Sequence, residues 1–177
     1  KRQLLEEVTS LVEWPVPIIG SFDDEFLKLP RDVLIATMKE AQKYFHVEDT
    51  NGQLLPKFIT ISNIRSRSPE SVREGNERVI RPRLEDAAFF VQTDRRRGLE
   101  SFIQGTKSLT FQEKLGTIYD KAQRISKLTA QIAIEMGCNQ NEVKLAQRAG
   151  YLCKCDLVSN TVNEFPELQG IMGREYA

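Results

Sequence analysis

Apolar positions recur along this chain in two rhythms, and the rhythm changes partway. Phe111, Leu115, Ile118, Ala122, Ile125, Leu128 and Ile132 keep helical spacing until Gly137, which predicts one long amphipathic helix. Another is expected from about Asn141, with Val143, Ala146, Gly150, Cys153 and Leu157 on one side. A face that small predicts close approach to a neighbour. Pro30 can open a helix in which Leu34, Met38, Ala41 and Phe45 share a side.

The first half also carries extended segments. Trp14-Pro15-Val16-Pro17-Ile18-Ile19-Gly20 reads as an extended segment, because its prolines forbid a helix interior but allow an edge strand. Phe45–Glu48 and Phe58–Ser62 flank Asn51-Gly52, a dipeptide that tolerates positive φ, and so predict a hairpin. Pro56 is expected to delay the second strand until after it. From Pro69 onward the pattern predicts helix and no strand. Ser71-Val72-Arg73-Glu74 has the form of a capping box, Pro82 marks a restart or a kink, and Arg95-Arg96-Arg97-Gly98 reads as a helix end. The fold class is therefore α+β: a mixed N-terminal part with a short antiparallel hairpin or sheet, then an all-α part.

Composition narrows the function classes. The 177 residues are 40% hydrophobic and 28% charged, as in an ordinary folded domain. Twenty-five basic residues balance twenty-five acidic ones, so any attraction to nucleic acid must come from a local patch. No apolar run reaches the length of a membrane span. The chain starts at Lys1 and stops at Ala177 in what reads as mid-helix, as a piece of a longer polypeptide would. Cys138, Cys153 and Cys155 have no framework spacing, which points to a reducing, cytoplasmic setting with buried thiols.

Candidate chemistry is sparse. The single histidine, His46, sits in a strand-like segment and reads as solvent-facing or satisfied, and no Gly-rich phosphate loop or nucleophile elbow is present. Arg65, Arg67, Arg73, Arg78, Arg81 and Arg83 cluster in one window, interleaved with Glu70, Glu74, Glu77, Glu85 and Asp86. That pattern fits a salt-bridged helical surface or a phosphate-binding strip. An aspartate on a small-faced helix could ligate a metal, and by resemblance to phosphohydrolases of the HD superfamily Cys155-Asp156 would stand for their His-Asp pair, but one carboxylate does not hold a catalytic divalent ion. Capping or a buried hydrogen bond is the simpler role for Asp156.

Several segments together resemble the beta subunit of the heterotetrameric bacterial glycyl-tRNA synthetase. They are Leu4–Glu13 with Pro15-Val16, Met38–Phe45, Gly75–Phe90, Lys114–Thr117 with Asp120-Lys121, and Lys154–Leu157 leading to Glu164–Ala177. One departure is Ala41, where the family usually has histidine before Gln-Lys-Tyr-Phe. The resemblance implies that residues 1–105 belong to the α+β body of the subunit and residues 106–177 begin a helical HD-like domain. It implies a role in binding and positioning tRNA for glycine and in assembly with the alpha subunit, as a heterotetramer of two alpha and two beta subunits. The ligase site, with ATP and magnesium, would lie in the alpha subunit, so no catalytic residue, metal ligand or cofactor is expected here. For tRNA phosphates the expected contacts are Arg78, Arg81 and Arg83, with Lys43 behind them. The alternatives are an HD-type metal-dependent phosphohydrolase and a purely structural module.

Overall fold

β3 (Leu54–Ser62) is the centre of an antiparallel sheet, with β1 (Val16–Ser21) on one side and β2 (Phe45–Glu48) on the other. The computed structural model describes residues 2–177. β1 pairs with β3 from Val16 opposite Ser62 to Ser21 opposite Lys57. β2 pairs His46 with Phe58 but Glu48 with Leu54, so β3 bulges between those two pairs. Pro56 sits in that bulge inside the strand, rather than ahead of it as the sequence suggested. Its carbonyl accepts from Phe22 N–H at 3.1 Å, so the missing amide costs one bond at the end of the β1 ladder. Because Phe22 turns its amide inward, Pro17, Ile19 and Ser21 turn theirs to the outer edge. Proline has no N–H to offer there, and Ser21 N–H goes to Glu77 Oε1 at 2.8 Å.

The β2–β3 turn follows its sequence. Gly52 takes φ 78°, and Asp49 Oδ1 accepts from the amides of Asn51 and Gln53. Ahead of the sheet, α1 (Arg2–Leu11) buries Leu4 and Val8, one turn apart. α2 (Arg31–Gln42) buries Leu34 and Met38 but stops before Phe45, because Lys43 adopts a left-handed conformation (φ 57°) and sends the chain into β2.

α3 (Pro69–Arg97) is one helix of 29 residues. Pro69 opens it, so Ser71 lies inside the first turn and caps nothing. Pro82 does not divide it either. The proline is exposed, which leaves the carbonyl of Arg78 to solvent instead of stranding it in the core. The helix ends where Gly98 takes φ 75°.

The chain forms two compact units, Lys1–Phe90 and Val91–Ala177. In the first, Phe26, Leu34, Met38, Tyr44, Phe58, Ile80 and Leu84 form the core, and burying each such side chain contributes about 1.5–3 kcal/mol. The rings of Tyr44 and Phe58 stack at 4.5 Å and 8°. In the second, the core is Leu99, Phe102, Ile103, Leu152 and Cys155.

The second unit contains strand after all: β4 (Thr110–Gln112) pairs with β5 (Gly116–Thr117). Phe111 and Leu115 therefore belong to a small hairpin and not to the helix their spacing suggested. α4 (Ile118–Glu135) cannot extend backward because Gly116 has φ 82° and Thr117 forms a reciprocal capping box with Asp120. α5 (Gln140–Leu152) is opened by the same device between Asn139 and Glu142. Its small face packs on α4 as expected around Gly150, where Ser126 Oγ donates to Gln147 O at 2.9 Å and a Cβ on the glycine would lie 2.5 Å from Thr129 Oγ1. The helix stops at Leu152, however, so Cys153 and Leu157 do not continue that face. α6 (Asn160–Glu164) and α7 (Ile171–Tyr176) complete the unit. Among the described residues no helix is long and apolar enough to cross a membrane.

Candidate nucleic-acid interface

All three arginines expected to meet RNA lie on α3 and are exposed. Their placement follows from helix geometry. Ile80, Leu84 and Ala87 form the buried stripe of this part of α3. At about 100° per residue, Arg78 and Arg81 stand about 60° apart, whereas Arg83 lies about 160° from Arg81, across the stripe. One side of the helix thus carries Arg78 and Arg81, and Arg83 projects elsewhere.

Their partners differ too. Arg81 Nη1 donates to Asp23 Oδ2 at 2.7 Å, in an exposed pair worth about 0–1 kcal/mol. Lys43 Nζ lies 3.0 Å from Glu7 Oε1 on α1. Arg78 and Arg83 form no ion pair within the described residues, despite the acids interleaved around them in sequence.

Between α3 and the outer edge of β1 run two shallow clefts. One, about 130 Å³, is lined by Ser21, Phe22, Asp23, Phe26, Glu77 and Arg81. The other, about 310 Å³, is lined by Ile19, Gly20, Ser21, Lys57, Arg73 and Glu77. Arg73, Glu77 and Arg81 succeed one another by single turns along this side. Glu77 Oε1 accepts both the amide and the hydroxyl of Ser21, at 2.8 and 2.9 Å. Neither cleft is lined by a histidine or cysteine; in the first, the carboxylates of Asp23 and Glu77 are engaged by Arg81 and Ser21, and the second is edged by Lys57 and Arg73.

In the second unit two buried aspartates are tied up in structure. Asp94, fully buried, accepts five hydrogen bonds: from the amide and side chain of Asn160, the amide and hydroxyl of Thr161, and the Tyr176 hydroxyl, at 2.8 to 3.2 Å. It thereby closes the start of α6. Burial, more than these bonds, pushes the Tyr176 phenol above its ordinary range. Asp156 Oδ2 accepts the amides of Gly170 and Gly173 at the start of α7, which is the buried hydrogen-bonding role expected of it. Its Oδ1 is buried without a partner. Among the described residues no three His, Cys, Asp or Glu side chains are grouped to hold a metal ion.

The thiols divide by position. Cys155 is buried, and desolvation pushes it up to about 12; Cys153, two residues earlier at the end of α5, is exposed, contrary to the expectation of buried thiols throughout. His46 is partly buried, with Nε2 3.1 Å from Glu48 Oε1.

Sequence reasoning missed Asp94 altogether. A signal was present, since an acid in the last turn of a helix opposes the helix dipole and so asks for a partner elsewhere.

Comparison with known proteins matches this chain to a class of RNA-charging enzymes. Over residues 1–177 the chain fits the family model described as glycyl-tRNA synthetase beta subunit. It is 56% identical over 175 residues to the glycine–tRNA ligase beta subunit of Hahella chejuensis, covering 99% of this chain and 25% of that protein. The corresponding subunits of Pseudomonas aeruginosa and Pseudomonas fluorescens are 52% and 53% identical over 174 residues, covering 98% of this chain and 25% of theirs. The chain belongs to the glycyl-tRNA synthetase beta subunit family, and it spans about a quarter of the length of these relatives.

Proposed function

We propose that this segment helps the beta subunit bind and position tRNA for glycine, and supports assembly with an alpha subunit, during ATP-dependent attachment of glycine in the cytoplasm. The observation that carries this reading lies on α3, where Arg78 and Arg83, on different sides of the helix, are exposed and form no ion pair with an acid among the described residues. An arginine already satisfied within its own fold gains little from a phosphate; an unpaired one can offer its planar fork in full. Arg81 and Lys43 are engaged with Asp23 and Glu7, in exposed pairs weak enough for a phosphate to displace the acid.

The segment contributes position rather than bond-making. Placing the acceptor end of a tRNA accurately raises turnover without any contact to glycine. ATP and magnesium act in the alpha subunit in this reading, within an assembly of two alpha and two beta subunits, and residues 106–177 begin the HD-like domain.

The test replaces Arg78 and Arg83 with glutamine in the full-length subunit within its complex. The KM for tRNA rises and the salt dependence of tRNA binding becomes shallower by about 1–2 in log–log slope, while the KM for glycine is unchanged. Unaltered tRNA affinity and slope in a normally folded complex would overturn the assignment.

A further inference from the structure

A further group of cations belongs to the second unit alone. Residues 107–127 carry five, Lys107, Lys114, Lys121, Arg124 and Lys127, against two acids, Glu113 and Asp120. That is a local net charge of +3 in a chain whose formal charge is zero. One of the acids is already occupied. Asp120 accepts the amide and hydroxyl of Thr117, both at 2.8 Å, and these bonds hold its carboxyl below the usual carboxylate range. Arg124, one turn further along α4, forms no ion pair with it.

Helix geometry gathers the remaining charges. The side of α4 that packs on α5 is marked by Ala122, Ser126 and Ala133, all buried. At about 100° per residue, Lys121, Arg124 and Lys127 span an arc of about 120° on the other side. None of the three forms an ion pair with an acid among the described residues, although the charge of Arg124 adds slightly to what holds the Asp120 carboxyl low. The hairpin adds an aromatic ring beside them. Lys121 Nζ lies 3.7 Å from the Phe111 ring centroid, covering one face, yet Phe111 remains 38% exposed. Lys114 sits at the hairpin turn next to it.

We propose that the β4–β5 hairpin and the first turns of α4 form an RNA-binding surface, in which Lys121, Arg124 and Lys127 neutralise backbone phosphates and Phe111 packs against an unstacked base. The proposal rests on the tRNA-binding reading above and adds a second contact area to it. Phosphate neutralisation supplies affinity that falls with salt, and a ring among cations supplies stacking that does not. An acidic protein surface is the competing occupant, because the same side of α4 continues into exposed Leu128 and Ile132. RNA is favoured because the cations come with a half-exposed aromatic ring.

The experiment is a salt-titrated binding measurement of the full-length subunit in its complex, using a transcript of tRNA for glycine. Replacing Lys121, Arg124 and Lys127 with glutamine is expected to lower affinity about tenfold or more near physiological salt and to reduce the log–log salt slope by about 2–3. Phe111→Leu is expected to lower affinity severalfold at an unchanged slope. Should the triple variant fold poorly, the pair Arg124→Gln and Lys127→Gln, both at exposed positions, is expected to reduce the slope by about 2. Wild-type affinity and slope in a normally folded variant would overturn the proposal. So would a variant that loses the alpha subunit while keeping its slope, since that marks a protein contact. If the unmodified complex shows no salt-dependent tRNA binding, this surface and the tRNA reading fall together; if it does and the variants match it, this surface alone falls.

Discussion

Gly20 and Phe58 face each other across β1 and β3, and a Cβ on Gly20 would lie 2.3 Å from the tip of the Phe58 ring. The ring cannot retreat, because it is fully buried and stacked on Tyr44. Gly20→Ala is therefore expected to destabilise the first unit by about 1–3 kcal/mol. Hydrogen exchange of the β3 amides would report it as faster opening. Combined with Phe58→Leu, the second change should cost less than it does alone, because the two side chains compete for one space.

Gly150 plays the corresponding part between α4 and α5. A Cβ there meets Thr129 Oγ1 at 2.5 Å and the Cα of Ser126 at 3.0 Å. Gly150→Ala should cost about 1–3 kcal/mol in urea unfolding. Thr129→Ala should restore only part of this, since the second obstacle is backbone.

Asp94 accepts five bonds, and a carboxamide in its place could not accept them all. Asp94→Asn keeps the shape but turns an N–H₂ toward donors, which should cost about 2–3 kcal/mol. The neighbouring Arg96→Gln, on an exposed side chain, should stay within about 0.5 kcal/mol. A comparison of the two melting temperatures separates the buried hub from the surface charges around it.

Alkaline pH should loosen the first unit through Tyr44. Burial pushes its phenol from 10 up to about 12, and its hydroxyl donates to Asn76 Oδ1. Between those values the unfolded chain releases the proton while the folded chain keeps it, so stability is full below pH 10 and falls as pH rises toward 12. Tyr44→Phe should make that decline shallower, at a constant cost of about 1 kcal/mol for the lost bond. Unfolding titrations from about pH 9 to about pH 12 would show it, and an unchanged slope would exclude Tyr44 as the source.

The sequence was most legible where local chemistry and tertiary packing agree. Asn51-Gly52 placed its turn, Gly98 its helix end, and Gly150 its close contact, because each answers to one steric rule. Reading failed where one local cue was outweighed by another. Phe111 and Leu115 fit a helical rhythm, but Gly116 and the Thr117–Asp120 box fix the helix start after them. Pro82 suggested a break, yet a proline on the solvent side of a long helix leaves its orphaned carbonyl to water. Of the expected interface, exposure was legible and direction was not: Arg78, Arg81 and Arg83 are neighbours in sequence but diverge around α3, and Asp23 and Glu7 reach Arg81 and Lys43 from segments no spacing rule connects to them.

The outer edge of β1 has a consequence for crowded conditions. A bare strand edge is a template on which a second chain can align and run on indefinitely. Here Pro17 removes one handhold and Glu77 occupies another at Ser21. Newly made copies at high local concentration are thereby discouraged from zipping together along this sheet, and the safeguard is built from one missing amide and one carboxylate instead of an extra strand.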